Sequence, residues 1–223
     1  VRFGDLTLDE FVRHLASAEP TPGGGSASAV AAALAAGLVA MVASLSQGRP
    51  KYVDHEALIV RTRAAATDLA GRCLRIADED AAAYAGFGVA MRLPRETDDE
   101  KAARTAALQA AARVAAMAPL EAVEACRDIV TGAEVLAGRS NANAASDLAV
   151  AALLSEAAAR GAAANVLVNL PMTGDEALSA ELSARVAELL AEVERLAAET
   201  RDVVASGATR PALPPLPPPS DPT

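Results

Sequence analysis

Apolar side chains recur along this chain at steps of three and four, the spacing that gathers them on one face of a helix. Leu8, Phe11, Val12 and Leu15 mark a short amphipathic helix over residues 5–18, and the run Pro20-Thr21-Pro22-Gly23-Gly24-Gly25-Ser26 stops it and opens the next. The second helix extends to about Gln47, where Gly48 and Pro50 provide an exit and Arg49 and Lys51 leave positive charge in a loop. No charged residue occurs in 20–48, so this helix is apolar all round and must be central in something. A third helix over about 53–91 carries an inward stripe of Thr62, Ala66, Leu69, Cys73, Ile76, Asp80, Ala83 and Phe87. After Leu93-Pro94, acids at 96–99 open a fourth helix reaching about Leu136, which Pro119 should kink or split. A polar loop at 138–143 precedes a fifth helix to about Leu170. Residues 175–205 form an outer helix with Leu178, Leu182, Val186, Leu189, Val193 and Leu196 on one face.

Composition supports the same picture. Hydrophobic residues make up 52% of the 223, yet aromatics only 2%, and roughly a quarter of the chain is alanine, the best helix former and a poor strand former. The fold expected is all-α, a bundle of about six helices around a long uncharged Ala-rich one, with residues 1–206 as the helical domain and 207–223 as a Pro-rich tail, solvated or draped on a partner. Length alone would let residues 27–45 span a membrane, but the run is mostly small residues without an aromatic belt, which favours a buried helix. The net charge of -9 offers no field for nucleic acid or an anionic membrane. Cys73 and Cys126 match no metal spacing, the acidic N-terminus has no export pattern, and a cytoplasmic setting is expected. His14 and His55 have no ligand partner at helical spacing and read as surface or packing residues.

Candidate chemistry begins with Asp80, a carboxylate in an otherwise apolar or small stripe. Burying it without a partner is costly, so it is either paired structurally or functional. Asp147 shares a face with Val150, Leu154, Ala158 and Gly161, with Asn143 one turn before it. Asn165 lies on the same azimuth, roughly 27 Å along the axis, and Asn169 one turn beyond. A helix cap is the structural alternative for Asn143 and Asp147. Two buried carboxylates converging on one cavity, within a chain or across a subunit boundary, could raise the proton affinity of one into the range of acid/base work. Gly23-Gly24-Gly25-Ser26 before a helix is either an anion cradle or the start of a small-residue ridge, Gly25, Ala29, Ala33 and Gly37, that admits a close helix neighbour.

Taken together, Pro20-Thr21-Pro22-Gly23-Gly24-Gly25-Ser26, Gly48-Arg49-Pro50-Lys51-Tyr52, Asp80-Ala81-Ala82-Ala83-Tyr84 and Asn141-Ala142-Asn143-Ala144-Ala145-Ser146-Asp147 with Gly161, Asn165 and Asn169 resemble the cyclodeaminase/cyclohydrolase family of folate enzymes. The resemblance implies an all-α homodimer acting on the one-carbon unit between N5 and N10 of tetrahydrofolate, without metal or redox cofactor. The leading activity is hydrolysis of 5,10-methenyltetrahydrofolate to 10-formyltetrahydrofolate. The alternative is release of ammonia from 5-formiminotetrahydrofolate, and a non-enzymatic alternative is a helical scaffold or folate binder. On this resemblance Asp147 is the chief acid/base group and Asp80 its partner. Gly24, Gly25, Ser26, Asn143, Asn165 and Asn169 would contact the substrate, and Arg49 and Lys51 the folate's glutamate carboxylates. Pro50 stands where the family pattern expects a further basic residue.

Overall fold

The computed structural model describes residues 2–213, and among them there are six α-helices and no strand. The helices are α1 Leu8–Leu15, α2 Gly24–Ser46, α3 Glu56–Met91, α4 Asp98–Leu136, α5 Ala145–Asn169 and α6 Glu176–Ser206. Local chemistry sets their ends. Thr7 with Glu10 and Thr97 with Glu100 form capping boxes at the starts of α1 and α4. Asp175 accepts from the Leu178 N–H at the start of α6, and Gly207 ends α6 in the left-handed conformation that glycine tolerates.

Helices α2, α3, α4 and α5 form a ring in which each packs on the next, α5 closes against α2, and α6 covers α4 and α5 from outside. The interior is built mainly of alanine. Ala29, Ala32, Ala35, Ala36, Ala43, Ala151, Ala152, Ala159 and Ala162 are all fully buried, while Val39, Ile59, Ile76, Ile129, Leu148 and Leu189 fill the wider gaps. Small side chains at the contacts bring the helix backbones close together. The central helix is long and apolar enough to cross a membrane, and half of its most apolar stretch is buried against its neighbours. Its ridge differs from expectation at one place, because Gly37 faces outward with nothing near it while Gly25, Ala29 and Ala33 face in.

Pro119 neither splits nor ends α4, which continues from Asp98 to Leu136 with the proline buried inside it. The stripe on α3 also changes along its length: Thr62, Ala66, Cys73 and Ile76 are buried, whereas Asp80, Ala83 and Phe87 are half-buried. Beyond Asp80 the helix runs on to Met91, roughly 16 Å further, and leaves the ring to stand beside the start of α4. At the other end of the chain, Arg210 N–H donates to the Gly138 carbonyl (2.9 Å) and Arg139 Nε to the Pro211 carbonyl (2.7 Å), which straps residues 207–213 across the α4–α5 turn. The rest of the expected Pro-rich tail, 214–223, lies outside the described residues.

Because the interior has been closed around methyl groups, enlarging one should cost more than removing one. Ala36→Leu is expected to lower the unfolding free energy by about 1–3 kcal/mol through overpacking, read as a lower urea midpoint at unchanged slope.

Candidate active site

A cavity of about 330 Å³ lies at the N-terminal end of α2, bounded by the turn Pro20–Gly25, by α3 at Asp80, Tyr84 and Phe87, by α4 at Ala115, and by the end of α5 at Asn165, Val168 and Asn169. The contact that shapes it is between Asp80 and Gly25. A Cβ on residue 25 would sit 2.3 Å from Asp80 Oδ1 and 2.6 Å from its Cγ, so the carboxylate occupies the space that any larger residue would take. Glycine is therefore required there for room. The first N–H groups of α2 have no intrahelical acceptor, and the helix dipole favours an anion beside them.

Asp80 is the sole ionisable carboxylate among the lining residues, and no lysine or arginine joins it. Burial pushes its proton affinity above the ordinary carboxylate value, opposed by hydrogen bonds from Ser26. Ser26, itself fully buried, places its Oγ 3.0 Å from Asp80 Oδ2 and 3.1 Å from the Ala77 carbonyl. The hydroxyl can thus serve both protonation states. It donates to the ionised carboxylate, and when Asp80 is protonated it accepts from the acid and donates to Ala77.

The opposite wall is amide-lined. Asn165 Nδ2 donates to the Gly161 carbonyl (2.8 Å), and Asn169 Nδ2 donates to the carbonyls of Asn165 (2.8 Å) and Ala115 (3.2 Å). Tyr84 and Phe87 supply aromatic surface at four and seven residues after Asp80, one helix face. Periodicity alone places Phe87 in the core stripe and assigns Tyr84 no role; the i, i+4, i+7 spacing from the anomalous aspartate is the signal in the sequence for both. Thr21, Ala115 and Met172 carry no chemical signal in the sequence and join the lining through tertiary contact alone.

Of the expected site residues, Gly24, Gly25, Ser26, Asp80, Asn165 and Asn169 come together here, while Arg49, Lys51, Asn143 and Asp147 do not. The latter group lies at the far end of α2, where Ser46 Oγ accepts from the Asn141 N–H (2.8 Å) and the Tyr52 hydroxyl from the Ala142 N–H (3.3 Å). Ser26 and Ser46 are roughly 30 Å apart along the helix. Asp80 and Asp147 therefore do not share a cavity within one chain, because α2 and α5 run antiparallel and each delivers one polar group to each end. Asn143 does not cap α5; it is exposed, and its N–H donates to Asn141 Oδ1 (3.2 Å). The buried Cys73 and Cys126 are unpaired, and burial pushes the Cys73 thiol up to about 11, so no thiolate nucleophile is available from it.

A family model described as formiminotransferase-cyclodeaminase matches residues 7–188, a span that includes both polar ends of the bundle. The chain belongs to this family. A methenyltetrahydrofolate cyclohydrolase from Methylorubrum extorquens is 38% identical over 193 residues, covering 86% of this chain and 93% of that protein. The formimidoyltransferase-cyclodeaminase of Sus scrofa is 34% identical over 195 residues, and there the match spans 36% of the relative's length. A solved structure of formiminotetrahydrofolate cyclodeaminase from Thermotoga maritima superposes with a TM-score of 0.83 at 28% identity, covering 91% of this chain and 98% of that one. Family members thus include free-standing versions of this helical unit as well as longer chains that contain it.

Two outcomes are expected from the Gly25–Asp80 contact. A folded-state proton affinity raised above the unfolded value means that Asp80 contributes stability below its unfolded pKa of about 3.9 and loses it as the pH rises through the folded value. Asp80→Asn should therefore melt higher than the parent at pH 7, with the gap closing towards pH 4. Gly25→Ala should lower the melting temperature, since its Cβ overlaps the Asp80 carboxylate and must push it from its hydrogen bond with Ser26. The displaced carboxylate should also lower kcat/KM by roughly 10- to 100-fold, measured on the folate substrate.

Proposed function

We propose that the chain is a methenyltetrahydrofolate cyclohydrolase whose acid/base group is Asp80. The observation that carries this reading is a lone half-buried carboxylate in a cavity free of cationic side chains, facing two asparagine amides. Such a wall suits the delocalised N5–C–N10 cation of the methenyl substrate. The ionised Asp80 takes a proton from a water attacking the bridging carbon, which gives a tetrahedral carbon bearing OH and attached to both nitrogens. The same group, now protonated, returns the proton to N5 as the C–N5 bond breaks, the hydroxyl gives up its proton to water as the C=O bond forms, and the formyl group remains on N10. Ser26 keeps the aspartate hydrogen-bonded in both states.

The related reading, formiminotetrahydrofolate cyclodeaminase, draws on the full-length likeness to the Thermotoga structure. There N10 attacks the formimino carbon and gives up its proton to water, and the protonated Asp80 donates to the amino nitrogen, which leaves as ammonia. The choice is decided by following the loss of methenyl absorbance beside ammonia release from the formimino substrate. Fast hydrolysis supports the first reading, and ammonia release without hydrolysis overturns it.

We also infer a homodimer. On α2, Leu34, Gly37, Met41 and Leu45 form an exposed stripe, and α5 exposes Val150, Leu153 and Leu167. Exposed apolar helix faces of this extent fit a second copy, and a two-fold axis perpendicular to α2 would set the copies antiparallel, the far end of one beside the Asp80 cavity of the other. Asp147, Arg49 and Lys51 would then complete the partner's site, the basic pair meeting glutamate carboxylates. The buried unpaired cysteines suit a reducing, cytoplasmic setting.

Three results are expected. The acidic limb of the kcat/KM profile should lie above the ordinary carboxylate value, and Ser26→Ala, which removes the side-chain hydrogen bond favouring the anion, should move it to higher pH. Asp80→Asn should lose about 10²–10⁴-fold in kcat, the range for a positioned acid/base group. Mixing inactive Asp80→Asn and Asp147→Asn proteins under subunit exchange should restore activity, because half of the mixed sites carry both aspartates; no recovery would refute the shared site.

A further inference from the structure

Pro119 is buried in the middle of α4, where an ordinary residue would donate its N–H to the carbonyl of residue 115. Proline has no N–H, so the Ala115 carbonyl is left without its helical donor at a place only partly open to water. The donor comes from another helix: Asn169 Nδ2 reaches the Ala115 oxygen at 3.2 Å, and also the Asn165 carbonyl at 2.8 Å. Both N–H groups of that amide are thus committed to carbonyl oxygens. The reversed amide would set Oδ1 against two acceptors, so the orientation is fixed, and it leaves Oδ1 as the group Asn169 can offer a ligand.

We propose that Pro119 is a positioning residue, which by withholding an N–H from Ala115 locks the Asn169 amide so that the cavity meets an oxygen rather than an N–H. The ligand chemistry favoured by that wall is a cation or an N–H donor, since Asn169 Oδ1 then joins the Asp80 carboxylate among the acceptors around the cavity. The kinetic part of this inference rests on the proposed folate chemistry; the structural part does not. A residue bearing an N–H at position 119 would reclaim the Ala115 carbonyl, leave Asn169 with one anchor and let its amide turn.

The test uses Pro119→Ala, Pro119→Val as a variant closer in volume, Asn169→Ala, and the double variants, all in the full chain. In ¹H–¹⁵N spectra the Asn169 side-chain NH₂ pair, identified by its loss in Asn169→Ala, should exchange slowly in the parent and rapidly in both Pro119 variants. With methenyltetrahydrofolate, Pro119→Ala should raise KM about tenfold, the size of one lost hydrogen bond, with kcat within about twofold. The same substitution should add nothing in the Asn169→Ala background. Unchanged amide exchange in both Pro119 variants, or effects that multiply in the double variant, would overturn the proposal. Should the parent turn over neither folate substrate, the functional reading falls while the exchange measurement still decides whether Pro119 orients Asn169.

Discussion

The carboxylate of Asp80 fills the volume that a side chain at residue 25 would need, and the site depends on that close approach. It requires α3 to lie unusually near the first turn of α2. Alanine makes this possible, because methyl-sized side chains along α2 and at Ala77 allow the backbones to come together without leaving voids. The same contact removes Asp80 from water. Its charge is then opposed by desolvation and supported by Ser26 and the free N–H groups of a helix start, and the balance leaves an aspartate that holds its proton more readily than usual. A tightly packed helical interior and a group fit for proton transfer are thus two consequences of one geometric fact.

The cavity is placed where helix rules are broken. The glycine run 23–25 opens α2 without a side-chain cap from its own N-cap residue, so its first donors are left to Asp80 and to the cavity. On the other side, Pro119 frees an acceptor in the body of α4, and Asn169 takes it. Each irregularity would weaken an isolated helix. Within the bundle, each presents backbone polarity to the same small volume, where packing from four helices keeps the backbone in place. Strength is given up locally in exchange for orientation, as expected of a functional site in a fold that is otherwise locally consistent.

A second constraint comes from the outer surface of α2 and α5. Half of the most apolar stretch of α2 is buried within the chain, and the exposed half carries Leu34, Met41 and Leu45 around the open Gly37. The glycine that finds no neighbour inside the chain lies on the surface where a second copy would make close contact most readily. In the proposed dimer, Asn143 and Asp147 at the far end, beside the loop of Arg49 and Lys51, would join the partner's cavity, whereas within the single chain they lie roughly 30 Å along α2 from it.

Helix positions and the central place of α2 were determined by sequence, because period, breakers and the absence of charge act locally or require burial outright. Asp80 was legible as an exception within an apolar stripe, and the glycine run as a helix start. Periodicity fixes the azimuth of a residue on its own helix but says nothing of which turn of a neighbour it meets. Only the tertiary structure therefore decided that Asp80 stands with Asn165 and Asn169 rather than with Asp147, that Gly25 is needed for room, and that Pro119 leaves α4 continuous while another helix satisfies its orphaned carbonyl. Those outcomes depend on the axial register of antiparallel helices, which is set by packing across the whole bundle and is encoded in no single segment.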